Sequence, residues 1–183
     1  MTLNKSCLWL LLLASFSPVS ADEFLISGLQ ARLDEGNYLA SAEIEYRFSR
    51  KAFEALHNGV PLTLEIHLQL RRSSAWIWEA DLAGVKLRYQ IRYHALAGLY
   101  QVIDLQSGDQ QNFVTRAAAL TALGRLSDVK VIEQGKLQAG EDYTLALRST
   151  LDIEALPMPL RPLAYLSPDW SLSSGWSLWH LRY

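Results

Sequence analysis

Two stretches of strict apolar–polar alternation constrain the fold of this chain more than any other feature. In the first, from Leu62 to Leu70, every second residue is leucine or isoleucine, and polar residues occupy the positions between them. In the second, from Val85 to His94, the odd-numbered residues are apolar or aromatic and the even-numbered ones are polar or charged. Because successive side chains of a β-strand point to opposite faces, this period of two predicts strands with one buried and one solvated face.

The same pattern recurs along the chain and predicts the fold class. Further alternating stretches cover residues 38–48, 143–151 and 176–182, and glycine-containing turns separate several neighbouring stretches. Tight hairpin connections favour antiparallel pairing, and strands do not alternate regularly with helices. Two helices are predicted, over Arg50–His57 and Arg116–Leu126, each preceded by a capping hydroxyl residue. We therefore predict an all-β fold, mainly an antiparallel β-sandwich, with two short peripheral helices.

A proline-rich segment, Ala155–Trp170, contains four of the six prolines of the chain. Proline fixes φ and lacks a backbone donor, so this segment is predicted to be neither a helix interior nor a central strand. It is also rich in leucine. We expect a rigid, extended apolar strap across the core, and the same rigidity would suit a docking surface.

The N-terminus has the composition of a secretory signal peptide. The run Cys7–Phe16 is almost entirely apolar and is followed by a proline and small residues up to Ala21. Cleavage is predicted between Ala21 and Asp22, which removes residues 1–21 and leaves one β-sandwich domain over 22–183. An uncleaved membrane anchor is the alternative, although this apolar run is shorter than the ~20 residues that span a bilayer.

The cysteine content, the net charge and the length of the apolar runs limit the cellular compartments and partners that are compatible with this sequence. Cys7 is the only cysteine, so the mature chain is predicted to form no disulfide and no thiolate metal site. The formal net charge of −2 gives no case for nucleic-acid binding. No later apolar run is long enough for a transmembrane helix. We expect a periplasmic protein, with the outer membrane as the alternative, because Trp179, Leu181 and Tyr183 alternate as in the last strand of a membrane barrel.

Several segments resemble a known family. Asn37–Ser49, Leu56–Ile66, Tyr89–Val102 and the proline-rich segment together resemble a proteobacterial exported family known as domain of unknown function 4390. The resemblance implies a bacterial, signal-bearing protein with a single domain, and it implies no activity. Genes of this family are said to lie near a membrane sensor kinase, which implies an accessory role in a sensor system.

The strongest catalytic or metal-binding candidate combines Glu65, His67 and His94 on the polar faces of the two alternating stretches. If these strands pair, a carboxylate and two imidazoles could converge on a metal ion or form an acid–base site. The alternative is that both histidines are ordinary surface residues. The sequence contains none of the recognisable nucleophile, zinc-protease or phosphate-loop motifs, and no cofactor is implied.

Two other features are candidates for partner binding. A basic stripe is predicted on one polar face, and its members are Arg71, Lys86, Arg88 and Arg92. It could bind an acidic partner or pair with Glu43, Glu45 and Glu65 on neighbouring strands. Trp76 and Trp78 lie in a connection and could anchor a partner or close the end of the core.

Three functions remain open at this point. The first is a non-enzymatic binding or accessory module, such as a partner of another envelope protein or of a sensor system. The second is a small outer-membrane β-barrel or an envelope assembly factor. The third is a metal-dependent hydrolase that uses Glu65, His67 and His94.

Overall fold

The computed structural model describes residues 24–74 and 81–182, and at Arg182 only the backbone. The predicted signal peptide with its cleavage site at Ala21 and Asp22 lies outside the described residues. Trp76, Trp78 and Tyr183 also lie outside them. Within the described ranges, no helix is long and apolar enough to cross a membrane.

In the described part of the chain, nine strands form two antiparallel sheets, which confirms the predicted all-β, sandwich-like fold. The smaller sheet contains, in spatial order, β1 (Phe24–Asp34), β2 (Asn37–Tyr46) and β7 (Arg125–Glu133). The larger sheet contains, in spatial order, β6 (Gln110–Phe113), β5 (Leu99–Asp104), β4 (Ala83–His94), β3 (Leu62–Arg72), β8 (Asp142–Leu151) and β9 (Ser177–Arg182).

The core lies between the sheets, and β3 is its central strand. The apolar residues of the first alternating stretch are all buried: Leu62, Leu64, Ile66, Leu68 and Leu70. They belong to one cluster with the inward residues of β2 and β8, such as Ile44 and Leu147. Since each fully buried leucine or isoleucine contributes ~1.5–3 kcal/mol, this single strand face supplies a large part of the hydrophobic stabilisation.

A buried polar contact links the two sheets. The hydroxyl of Tyr46 on β2 lies 3.2 Å from the hydroxyl of Ser149 on β8. Burial raises the pKa of the Tyr46 phenol, while the hydrogen bond with Ser149 acts in the opposite direction. The backbone N–H of Ser149 donates to the hydroxyl of Ser174, so the polar groups at this point of the core have partners.

The first predicted helix, α1 (Arg50–His57), is confirmed, and Ser49 caps it by accepting a hydrogen bond from the backbone N–H of Ala52. The second, α2 (Arg116–Gly124), ends two residues before the predicted Leu126. Leu126 instead belongs to β7 and pairs with Ala42. The helix ends here because the backbone from Arg125 onward pairs with β2.

The proline-rich segment differs from the prediction, because it is mostly helical rather than an extended strap. A 3₁₀ turn at Ile153–Ala155 is followed by a third helix, α3 (Arg161–Leu166), and by a second 3₁₀ turn at Pro168–Trp170. Pro162 and Pro168 each stand in the first turn of their helix, where the missing N–H has no intrahelical partner to lose and the fixed φ suits the helix. A further 3₁₀ turn lies at Gln134–Lys136.

We predict that Gly124→Ala will strongly destabilise the fold. A Cβ atom at this position would lie 1.9 Å from the backbone oxygen of Ile44, so α2 or β2 would have to move. The midpoint of urea unfolding, followed by far-ultraviolet circular dichroism, measures the effect. Gly135→Ala is the matched control, because nothing lies within 4 Å of its added Cβ. Equal midpoints for the two variants would contradict the close packing of α2 on β2.

Candidate functional site

The strand register does not bring the three predicted metal-binding residues together. β3 and β4 do pair, with His67 opposite Lys86 and Glu65 opposite Arg88. His94, however, is eight residues beyond Lys86, a distance of ~26 Å along a strand. The predicted convergence of Glu65, His67 and His94 is therefore wrong.

His67 and His94 each contact a different neighbouring side chain. His94 shares a hydrogen bond of 3.1 Å with the side chain of Gln101 on β5. The ring of His67 lies 5.7 Å from the ring of Trp176, centroid to centroid. Among the described residues, no group of three or more His, Cys, Asp or Glu side chains could hold a metal ion.

The basic stripe lies on the outer face of the larger sheet, and most of it is paired with carboxylates. Arg71 pairs with Asp81, Lys86 with Glu65 at 3.5 Å, and Arg88 with Asp152 at 2.7 Å. Arg92 is exposed and makes no ion pair with a described residue. Pairing reduces the net charge that this stripe offers to an acidic partner.

The carboxylates that pair with the stripe are largely not the predicted ones. Of the three glutamates expected on neighbouring strands, only Glu65 takes part. Glu43 and Glu45 lie on β2 in the other sheet, and Glu45 pairs with Arg47. Asp152 caps the 3₁₀ turn that follows it by accepting a hydrogen bond from the backbone N–H of Ala155, while its other carboxylate oxygen binds Arg88.

An apolar groove between α1 and α3 is the most distinctive cavity of the described surface. Its volume is about 530 Å³, and its apolar lining consists of Ala55, Leu160, Leu163, Leu166 and Trp170. Leu163 and Leu166 are 63% and 86% exposed, whereas Trp170 is buried at 6%. Large exposed apolar side chains beside a groove are typical of binding surfaces.

Polar contacts hold the two sides of the groove together. The hydroxyl of Ser49 donates to the backbone carbonyl of Asp169 at 2.6 Å, and Lys51 on α1 pairs with the Asp169 carboxylate at 2.7 Å. Ser167 donates to the same carboxylate at 3.0 Å. The hydrogen bond from Lys51, supported by that from Ser167, lowers the pKa of Asp169. The groove is thus formed by connected elements before any ligand arrives.

The exposed leucines of α3 were not singled out from the sequence. Leu160, Leu163 and Leu166 are spaced by three residues, which is the spacing of one helix face. That signal was present, but the surrounding prolines favoured an extended interpretation. Only the helical conformation shows that these three side chains line one groove with Trp170.

The comparison with protein families decides the classification. The family model described as "Domain of unknown function (DUF4390)" matches residues 21–180. The chain belongs to this DUF4390 family. The match covers both sheets and the groove of this DUF4390 member, and it assigns no activity to them. No curated protein and no solved structure matches the chain.

We predict that Asp169→Asn will lower stability near neutral pH and that the loss will disappear in acid. A carboxylate with a lowered pKa stabilises the fold above its unfolded-state pKa, and this contribution is lost as the pH falls through the folded-state pKa. Urea midpoints for wild type and variant should therefore differ at pH 7 and converge below about pH 4.

Glu141→Gln serves as the control for this experiment, because Glu141 makes no ion pair with a described residue. A difference between Asp169→Asn and wild type that stays constant from neutral to acid pH would show that the Lys51–Asp169 contact does not act through charge.

Proposed function

We propose that this DUF4390 protein is an exported binding module that docks an amphipathic helix of an envelope protein in the groove between α1 and α3. The observation that carries the proposal is the pair of exposed leucines, Leu163 and Leu166, beside the groove. Helix-in-groove recognition needs an apolar groove that accepts side chains from one helix face. The groove is formed by short helices on the outside of the sandwich, where a partner could reach it.

The two walls of the groove favour a protein helix over a lipid chain. The α3 wall is apolar, whereas the α1 wall carries Lys51 and Glu54, which have opposite charges. An amphipathic helix presents an apolar stripe beside a polar flank, so it can match both walls at once. An acyl chain would contact only the apolar wall and would gain nothing from the polar α1 wall, where Lys51 pairs with Asp169 and Glu54 with Arg50.

Preorganisation supports the same proposal. Binding is weakened by the entropy lost when flexible groups become ordered. Here the prolines restrict the backbone around α3, and Asp169 ties the proline-rich segment to α1 through Ser49 and Lys51. The groove should therefore bind without a large ordering cost.

Export is the second part of the proposal. The apolar run Cys7–Phe16 and the small residues before Ala21 support a cleaved signal peptide and a periplasmic location. The protein then acts as an accessory module without catalysis. Trp76 and Trp78 stay predictions as additional anchors.

The export proposal predicts a mature protein that begins at Asp22. Full-length protein is expressed in a Gram-negative host, the cells are fractionated, and the intact mass of the purified protein is measured. A soluble periplasmic species that lacks residues 1–21 is expected, because the residues at positions 19 and 21 are small. A species of full mass that resists carbonate extraction from the inner membrane would show an uncleaved anchor instead.

Photo-crosslinking in cells tests the docking site. A benzophenone amino acid at position 163 or 166 should form an adduct with one envelope protein, because both side chains stand beside the groove. Mass spectrometry should place the adduct in a segment with apolar residues at helical spacing. The control is position 96, where Leu96 is fully exposed in the turn between β4 and β5.

The identified segment then allows a quantitative check. As a synthetic peptide it should bind wild type and Leu96→Ser equally, and Leu163→Ser about 30-fold more weakly, which corresponds to a hot-spot loss of ~2 kcal/mol. Adducts with lipid, or the same adducts from position 96, would contradict the proposed helix-binding groove.

A further inference from the structure

A row of side chains crosses the outer face of the larger sheet, on four neighbouring strands. His67 on β3 is opposite Lys86 on β4 and opposite Arg148 on β8. Trp176 directly precedes β9, and the pairing of Leu147 with Ser177 places it beside Arg148. We call Trp176, Arg148, His67 and Lys86 the cross-strand row.

The rings of Trp176 and His67 approach each other across the position of Arg148. Their positions are two strand spacings apart, ~9.6 Å, yet their ring centroids are only 5.7 Å apart. At least one of the two side chains therefore leans across β8, where Arg148 lies between their positions. The Nε atom of Arg148 is buried at this point.

The buried Nε atom of Arg148 lacks a hydrogen-bond partner among the described residues, and Arg148 makes no ion pair with any of them. The carboxylate of Glu65 on the same face is 3.5 Å from Lys86 instead. Among the described residues, the Nε atom of Arg72 is also buried without a hydrogen bond. Arg72, however, is the last residue of β3 and lies close to residues 75–80, which are outside the described residues.

An unpaired buried donor on a cation is costly, because the protein has removed water without replacing its hydrogen bond. An oxyanion bound at the guanidinium compensates its charge. Arginine suits this ligand well, since its planar guanidinium matches the oxygens of a phosphate or carboxylate group. The ring of His67 lies next in the row and can contribute a further donor, whereas the ammonium of Lys86 is paired with Glu65.

We propose that the cross-strand row is a binding site for one oxyanion group, a phosphate or a carboxylate, centred on Arg148. The Trp176 ring shields the anion from water and thereby strengthens its attraction to the guanidinium. The site shares no residue with the groove between α1 and α3. The proposed anion site is therefore independent of the docking function proposed for the groove.

Nuclear magnetic resonance titration of the purified protein tests this site directly. Inorganic phosphate and acetate are added in separate experiments, with sodium chloride at equal ionic strength as the reference. We expect saturable shifts of the Nε–H signal of Arg148 and the indole N–H signal of Trp176 with at least one of the two anions. The anion that binds more tightly identifies the group as phosphate or carboxylate.

The decisive variants are Arg148→Gln and Arg92→Gln. Both remove one arginine from the same sheet face, but only Arg148 belongs to the cross-strand row. Arg148→Gln should weaken binding at least tenfold, whereas Arg92→Gln should change it less than twofold. Because an unpaired cation contributes little to stability, Arg148→Gln should also melt at or above the wild-type temperature.

Three results would overturn the proposal. They are the absence of saturable shifts with both anions, equal weakening by Arg148→Gln and Arg92→Gln, and unchanged binding by Arg148→Gln. If Arg148→Gln fails to fold, Trp176→Leu and His67→Gln replace it, and each should weaken binding at least threefold. Wild-type affinity in both of these variants would exclude the site.

Discussion

The buried face of β3 is the constraint on which the rest of the structure depends. This strand pairs along its length with β4 on one side and β8 on the other, and its inward leucines leave almost no surface to solvent. A shift of one residue would turn that whole face outward, so the hydrophobic pattern specifies the register strongly. The same register determines which outward-facing residues lie opposite each other on neighbouring strands. His67 is opposite Arg148 because Leu68 and Ile66 must be inside.

The alternation of apolar residues was sufficient to predict the strands and the sandwich, because a period of two has one simple structural solution. Local hydroxyl caps were sufficient to locate the starts of α1 and α2. The end of α2 was missed because it depends on the pairing of Arg125 with Glu43, a contact between residues far apart in the chain. The proline-rich segment was misjudged for a different reason: proline is compatible with both an extended chain and the first turn of a helix.

Neither candidate site could be derived from the sequence, although the individual residues were visible. The groove requires α1 and the proline-rich segment to meet, and the contacts that join them connect Ser49 and Lys51 to Asp169. The predicted site of Glu65, His67 and His94 failed because sequence alternation gives the face of a residue but not its position along the partner strand. Only the observed register shows that His67 lies beside Arg148 while His94 is far away.

Two adjacent residues of β8, Arg148 and Ser149, differ in how well their buried polar atoms are hydrogen-bonded. Ser149 points into the core, where its hydroxyl meets Tyr46 and its backbone N–H is bonded by Ser174. Arg148 points to the opposite face, and its Nε atom is buried without a hydrogen bond to any residue that the structure describes. Folded proteins satisfy nearly all buried polar groups, and the neighbouring Ser149 follows this rule inside the core. The buried Nε atom of Arg148, which lies between the positions of Trp176 and His67 and has no hydrogen bond to a described residue, is the observation that supports the proposed anion site.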